Sequence, residues 1–261
     1  MPDHIVAIAN QKGGVGKTTT ALNLGAAIAD AGIDTVIIDL DPQGNASTGL
    51  GLGPEDRKLT TYDLLIGDET LIDVARETAI DRLRIVPSNA DLSSADMELA
   101  QTADRTRLLQ RKLGGSLSSR VILIDCPPAL GLLTVNALVS ASSVLVPLQA
   151  EFYALEGLSQ LLQSVKQVRQ TLNETLRVNG IVLTMSDTRN NLAQQVEADA
   201  RATLGELVYK TVIPRNVRVS EAPSFGRPVI HYDPGSKGSA AYMAFAKEFL
   251  ERIDLSMELV K

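Results

Sequence analysis

Residues 10–19 read NQKGGVGKTT and decide the fold of this chain. The apolar run before them, residues 4–9, predicts a β-strand, and in residues 17–31 apolar side chains recur at helical spacing until Gly32. Glycines let a backbone turn back on itself without a side-chain clash, and the start of a helix directs its N–H groups and its dipole at a bound anion. Strand, glycine-rich loop and helix in this order therefore predict a phosphate-binding loop.

The loop departs from the usual pattern at its first position. In G-x-x-x-x-G-K-[ST] the lysine reaches the β- and γ-phosphates and the hydroxyl binds Mg²⁺, whereas here Gln11 replaces the first glycine and Lys12 follows it. We expect Lys17 to bind phosphate, Thr18 to bind Mg²⁺ and Thr19 to donate to a further phosphate. The predicted phosphate contacts are Gly13, Gly14, Val15, Gly16, Lys17, Thr18 and Thr19. A plain glycine turn is the alternative, and the lysine and threonines that follow disfavour it.

Apolar strands alternate with helical patterns along the whole chain. Residues 35–40 end in acid, and Val121–Asp125 is the cleanest buried strand. Such alternation is typical of an α/β fold, a mostly parallel twisted sheet with helices on both faces. Further strands are predicted at 83–87, 143–147, 178–185 and 209–213, helices at 62–66, 71–77, 92–113, 132–140, 155–172, 192–204 and 239–253, and a long loop at 42–60. No linker or repeat interrupts the pattern, so we expect a single domain over residues 1–261.

Acidic side chains stand at the ends of two of these strands. Asp39 and Asp41 end the second strand and Asp125 ends another, and ligands bind at the carboxyl ends of strands in open α/β sheets. We expect Asp125 to contact Mg²⁺ directly or through water. Strand alternation predicts that Asp39 and Asp41 lie on one side, so that one orients the attacking water and the other holds the metal's water. A cap or turn role is the alternative for each, and for Asp39 a supporting role and a direct one stay equally open.

The bulk composition narrows the class of protein. The chain has 261 residues, 44% of them hydrophobic, and a formal net charge of −6. Any DNA contact therefore has to come from a local basic patch. Cys126 is the single cysteine, which excludes a disulfide within one chain and disfavours a cysteine-based metal site. The sequence has no basic leader and no apolar run of about 20 residues, so we expect a cytoplasmic protein.

Residues 209–238 reverse this acidic balance locally. Their basic side chains are Lys210, Arg215, Arg218, Arg227 and Lys237, against Glu221 and Asp233. Few aromatic residues interleave, so contact with the phosphates of nucleic acid fits better than stacking on bases. We expect Arg215, Arg218 and Lys237 to contact DNA, with a solvated basic face as the alternative.

Three stretches together resemble the ParA/Soj type of the ParA/MinD superfamily of P-loop NTPases. The loop with its extra lysine is similar to the deviant Walker A motif, K-G-G-x-G-K-[ST], and the other two stretches are residues 39–45, DLDPQGN, and residues 212–224, VIPRNVRVSEAPS. The resemblance covers essentially the whole chain. It implies that Lys12 crosses a dimer interface to the partner's nucleotide and that Asp41 is needed for hydrolysis. It also implies an adenine site framed by Met185, Pro214 and Asn216.

The same resemblance implies a slow, Mg²⁺-dependent ATPase with a role in chromosome or plasmid partition. The ATP-bound homodimer would bind double-stranded DNA without sequence preference, which would place it on the nucleoid. A ParB-type centromere-binding protein would stimulate hydrolysis and release the dimer. Because the chain starts at its first strand, we expect no N-terminal helix-turn-helix domain.

Two other functions use a similar loop. A MinD-like, membrane-cycling ATPase needs a C-terminal amphipathic helix with basic and bulky apolar residues, but residues 251–261 are acidic on balance. A metabolic ligase of the dethiobiotin-synthetase kind needs a pocket for a small substrate, and the run of residues 214–218, PRNVR, disfavours it. We expect no membrane binding.

Overall fold

A computed structural model describes residues 4–99, 104–114, 120–151, 154–187 and 189–255. They contain one eight-stranded sheet in the order β3-β4-β2-β5-β1-β6-β7-β8. Its strands are β1 His4–Ile8, β2 Thr35–Asp39, β3 Arg76–Glu77, β4 Leu83–Val86, β5 Val121–Asp125, β6 Ser143–Gln149, β7 Arg177–Ser186 and β8 Val208–Pro214. Neighbouring strands are parallel except for β3, which pairs antiparallel with β4. The predicted fold class is confirmed.

Helices cover both faces of the sheet, because each strand of the parallel part is apolar on both sides. They are α1 Lys17–Asp30, α2 Asn45–Gly49, α3 Thr61–Ile66, α4 Leu71–Val74, α5 Leu92–Leu99, α6 Leu108–Leu113, α7 Leu132–Ser140, α8 Ala154–Thr171, α9 Asn191–Leu204, α10 Val217–Glu221, α11 Val229–Tyr232 and α12 Lys237–Arg252. One core packs α1 and α12 against the sheet, and it holds the buried rings of Tyr209, Tyr242, Phe245 and Phe249. The opposite core contains side chains of α3 and α5 to α9. Among the described residues, no helix is both long and apolar enough to span a bilayer.

Three predicted elements are wrong in detail. Residues 42–60 are not one loop, because Gly44 adopts a left-handed φ of 62° and opens α2, and a short 3₁₀ turn covers Pro54–Asp56. The helix predicted at 71–77 ends at Val74, and the next residues form β3 by pairing with β4. The helix predicted at 92–113 is two helices, α5 and α6. Asp104, between them, has a left-handed φ of 58°, which a helix does not accept.

Candidate ATP-binding site

The loop between β1 and α1 is shaped by its glycines. Gly14 and Gly16 have φ angles of 74° and 87°, a region that side chains with a Cβ rarely adopt. In the described part of the chain, the N–H groups of residues 13–16 donate to no acceptor. The first N–H groups of α1 also lack helical partners, as at every helix start. The loop therefore presents a set of open donors to an anion at the start of α1.

Lys17 is buried inside this loop, with 7% of its surface exposed. Its ammonium group donates to the carbonyl of Lys12 at 3.0 Å. Burial lowers the pKa of Lys17, while the nearby acidic groups, Asp125 foremost, oppose that shift. A buried cation with one neutral acceptor gains much from a phosphate placed beside it, because charge-assisted hydrogen bonds are the stronger ones. The predicted position of Lys17 at the phosphates is thus supported by its surroundings.

Two carboxylates lie side by side at the ends of neighbouring strands, β2 and β5. Asp39 on β2 is in register with Asp125 on β5, and both are fully buried. Burial raises the pKa of Asp125 well above its ordinary value, and the charge of Asp39 adds to the rise, while the neighbouring Thr18 and Lys17 lower it. Neither carboxylate oxygen of Asp125 has a hydrogen-bond partner in the described part of the chain.

An unpartnered buried carboxylate fits a bound cation. Mg²⁺ takes oxygen ligands and uses one or two carboxylates together with waters and phosphates, so it does not need a cage of protein side chains. No three acidic, histidine or cysteine side chains of the described residues cluster as such a cage. Asp125 and the Thr18 hydroxyl would hold the ion. When bound, it supplies charge stabilisation to the phosphates of ATP.

The carboxylate of Asp39 is hydrogen-bonded to the chain segment that follows it. Its carboxylate accepts hydrogen bonds from the N–H of Ser47 at 2.8 Å and its hydroxyl at 2.7 Å, and from the N–H of Asp41 at 3.3 Å. Burial raises its pKa to about 6, and these hydrogen bonds lower it. A metal contact by Asp39 stays a prediction, but its partners favour the supporting role. β2 ends at Asp39, so strand alternation does not extend to Asp41, which lies in the turn beyond.

Asp41 begins a segment, residues 41–57, that hydrogen bonds hold at both ends. It is partly exposed, and its carboxylate accepts the N–H of Gln43 at 3.0 Å. Arg57 holds the segment from the other end, by donating to the carbonyls of Ser88 at 3.0 Å and Leu52 at 2.8 Å. Arg57 could not be predicted from the sequence, since nothing in the pattern of residues 50–60 distinguishes an arginine with internal hydrogen bonds from a solvated one. The second oxygen of the Asp41 carboxylate accepts no hydrogen bond in the described part of the chain, and activation of water by Asp41 stays a prediction.

The predicted adenine residues line one cavity of about 140 Å³, together with Gly16 and Thr19 of the loop. Met185 has a left-handed φ of 52°, uncommon for a residue with a side chain and more frequent at functional sites. Asn216 accepts the N–H of Arg218 at 2.8 Å and so caps α10, which leaves its amide nitrogen as a donor. Met185, Pro214 and Asn216 are thus brought together, and their contact with adenine stays a prediction.

The three predicted DNA residues differ in their surroundings. Arg218 pairs with Glu221 at 2.9 Å and with Asp233 at 3.3 Å, the two acids of this basic region. Arg215 and Lys237 are exposed, and no ion pair within the described residues involves them. Arg215 also lines the cavity around Met185, Pro214 and Asn216, which is the predicted base cavity. The basic patch is therefore weaker at Arg218 than the sequence suggests.

Comparisons with known proteins agree with this geometry. A family model described as an AAA domain matches residues 3–178. The chain is 52% identical to the chromosome partitioning protein ParA of Caulobacter vibrioides, over 96% of this chain and 95% of that protein. It is 49% identical to the sporulation initiation inhibitor protein Soj of Bacillus subtilis, over 94% and 97%. The chain belongs to the ParA/Soj family of ATPases. Both matches extend over nearly the full length of the relative.

A solved structure similar to this chain contains a nucleotide and magnesium. The cobyrinic acid a,c-diamide synthase of Mycobacterium smegmatis, solved with ADP and magnesium, is similar with a TM-score of 0.81 and 35% identity, over 94% of this chain and 93% of that one. As a member of the ParA/Soj family, this chain is an ATP hydrolase that uses ATP and Mg²⁺. Phosphate binding by Lys17 and the open N–H groups, and metal binding beside the buried acids, stay predictions.

Proposed function

We propose that this ATPase is a DNA-partition switch, in which ATP joins two copies into a dimer that binds double-stranded DNA without sequence preference. The observation that carries the proposal is that the two lysines of one loop occupy different environments. Lys17 is buried within the loop, whereas the side chain of Lys12 is 43% exposed. A single phosphate cradle needs only Lys17, so Lys12 is available to the nucleotide of a second copy.

The proposed cycle assigns a role to each part of the site. Lys17, Thr18 and the loop hold ATP, and the partner's Lys12 adds a positive charge where negative charge develops during phosphoryl transfer. A cation given in trans raises the rate of other NTPases by about 10³–10⁵. Asp41 orients the attacking water. A ParB-type partner accelerates this step, after which the dimer separates and leaves the DNA.

DNA contact is assigned to basic residues from the end of β8 to the start of α12. Arg215 and Lys237 are exposed at this surface, and the relatives named for chromosome partitioning support a DNA cargo. If each protomer contributes about two contacts, the dimer neutralises roughly four phosphates, and the logarithm of the binding constant falls with a slope of about −3.6 against the logarithm of salt concentration.

The proposal is tested by measuring binding of unrelated duplex DNA fragments with ATP, with ADP and without nucleotide, in a salt series. Tight, salt-sensitive and sequence-independent binding with ATP alone is expected. Equal binding in all three nucleotide states would contradict the proposal.

Two further experiments test the alternatives. Sedimentation with anionic liposomes in the same nucleotide states tests the MinD-like alternative, which requires ATP-dependent membrane binding. Phosphate release with and without DNA and a ParB-type partner tests the ligase alternative, which predicts no stimulation.

A further inference from the structure

The hydroxyl of Thr184 lies near the carboxyl end of β7, beside the phosphate loop. It donates to the carbonyl of Val15 at 2.8 Å, and Thr184 is 2% exposed. The two residues are 169 positions apart in the chain, so the bond fastens a distant strand to the loop. Thr184 contacts neither the acids nor Lys17 in any described hydrogen bond. Its link to the site is the Val15 carbonyl.

Fixing this carbonyl fixes the next N–H group. A peptide unit is planar and trans, so the N–H of Gly16 points away from the side to which the Val15 carbonyl points. In the sheet, β7 lies on one side of β1, and β5 and β2 lie on the other. The Gly16 N–H therefore points away from Thr184 and β7. Glycine alone does not secure this orientation, because its backbone accepts many others.

We propose that Thr184 is a positioning residue for ATP binding, which holds the Val15–Gly16 peptide with its N–H towards the phosphates. Thr184 and the next residue, Met185, both line the base cavity, so the end of β7 contacts the phosphate loop and borders the base site. Thr184 itself donates to the protein and not to the nucleotide. The proposal concerns the ATP site and does not depend on dimer formation or on DNA.

Thr184→Val tests the proposal, because it removes the hydroxyl and keeps the shape of the side chain. The affinities of the full-length protein for ADP, pyrophosphate and adenosine are measured by calorimetry or competition. The affinities for ADP and pyrophosphate should fall about tenfold, the scale of one lost hydrogen bond with a buried acceptor left unpaired. The affinity for adenosine should stay unchanged. The KM for ATP should rise by a similar factor, with a smaller change in kcat.

Thr184→Ser keeps the hydroxyl and should restore pyrophosphate binding to within about twofold of the parent protein. Thr35→Val is the matched control, because the Thr35 hydroxyl also makes a buried bond to a carbonyl, that of Ile33 at 2.9 Å, but at the opposite end of the sheet. It should lower the melting temperature and leave all three affinities unchanged. If Thr184→Val does not fold, Thr184→Cys, whose thiol is a weak donor, should bind pyrophosphate less tightly than Thr184→Ser.

Three results would overturn the proposal. The first is parental pyrophosphate affinity in Thr184→Val, or in Thr184→Cys if that variant has to replace it. The second is an equal loss of pyrophosphate affinity in Thr184→Ser. The third is an equal loss of affinity for adenosine and pyrophosphate, which would indicate a general distortion of the site.

Discussion

The ammonium group of Lys12 forms an ion pair with the carboxylate of Glu151 of the same chain. Both side chains are nearly half exposed, and exposed ion pairs contribute only about 0–1 kcal/mol to stability. Lys12 can therefore leave Glu151 at small cost, unlike the buried Lys17. This difference makes Lys12 the residue of the loop most suited to reach a second copy.

Lys12→Ala should leave nucleotide binding by the monomer close to that of the parent protein, because Lys17 and the N–H groups stay in place. It should weaken ATP-dependent dimer formation and lower turnover by about 10³-fold or more. Calorimetry with ADP and light scattering with a slowly hydrolysed ATP analogue measure the two effects. Lys166→Ala, at an exposed position of α8, should change neither. A normal dimer of Lys12→Ala would remove Lys12 from the interface.

Lys17→Ala should abolish ATP binding, because it removes the buried cation of the phosphate loop. The measurement is calorimetric titration with ATP and Mg²⁺. Lys58→Ala, which changes an exposed lysine outside the loop, is the control and should bind normally. Normal affinity of Lys17→Ala would contradict the assignment of the loop.

Asp41→Ala should bind ATP normally and fail to hydrolyse it, so that ATP traps the dimer. The reason is that the charge of Asp41 acts on the nearby Lys17, but its carboxylate offers no donor to the phosphates. Phosphate release and light scattering over time measure turnover and trapping. Asp56→Ala, which changes an exposed acid of the next turn, should hydrolyse ATP normally. Unchanged hydrolysis by Asp41→Ala would exclude Asp41 from the mechanism.

Arg215→Ala should make the salt slope of DNA binding shallower by about 1.8, because the dimer loses two phosphate contacts. Lys237→Ala should act in the same way. Arg218→Ala should change the slope less, since Glu221 and Asp233 already neutralise that cation. DNA affinity is measured at several salt concentrations with ATP present. A larger effect at Arg218 than at the other two would reverse this order.

His231 should give stability that depends on pH. A hydrogen bond to Asp30, at 2.8 Å, raises the pKa of His231 above its ordinary value of about 6.5, while partial burial and the charge of Arg227 oppose the rise. The pair's contribution is thus complete below about pH 6.5 and is lost as pH rises through the higher folded pKa. Solvent screening limits it to about 0.5 kcal/mol.

Denaturant unfolding of the parent protein and of His231→Gln measures this contribution. The difference in the free energy of unfolding should be present near pH 6 and smaller near pH 8. Asp30→Asn should give the same trend. An equal difference at both pH values would contradict it.

The elements around the phosphate loop could be predicted from the sequence. β1, α1 and β2 end within one residue of their predicted bounds, and β5 matches at both ends. Their apolar periodicity is strong, and Gly32 ends the first helix pattern. The predicted acids also reach the loop edge, because parallel strands bring their carboxyl ends together.

The bonds that shape the site could not be predicted. Thr184 and Val15, Arg57 and Ser88, and Lys12 and Glu151 are pairs far apart in the chain. Such pairs depend on packing and not on local periodicity. β3 escaped prediction because two residues give no alternating pattern, and its strand form depends on pairing with β4.

Lys12 of one copy is proposed to act on the nucleotide of the other. Mixing Lys12→Ala with Asp41→Ala tests it, since each variant alone is inactive. In a mixed dimer, the protomer that lacks Lys12 keeps its own Asp41 and receives Lys12 from the other. If the variants are mixed before ATP is added and the lysine acts in trans, an equimolar mixture should recover up to about a quarter of parental ATPase activity. Random pairing sets this upper value, because half of the dimers are then mixed and each has one complete site. Replacing Lys12→Ala by Lys17→Ala in the mixture should give no recovery. If a mixture shown to contain mixed dimers of Lys12→Ala and Asp41→Ala recovers no activity, Lys12 does not act in trans.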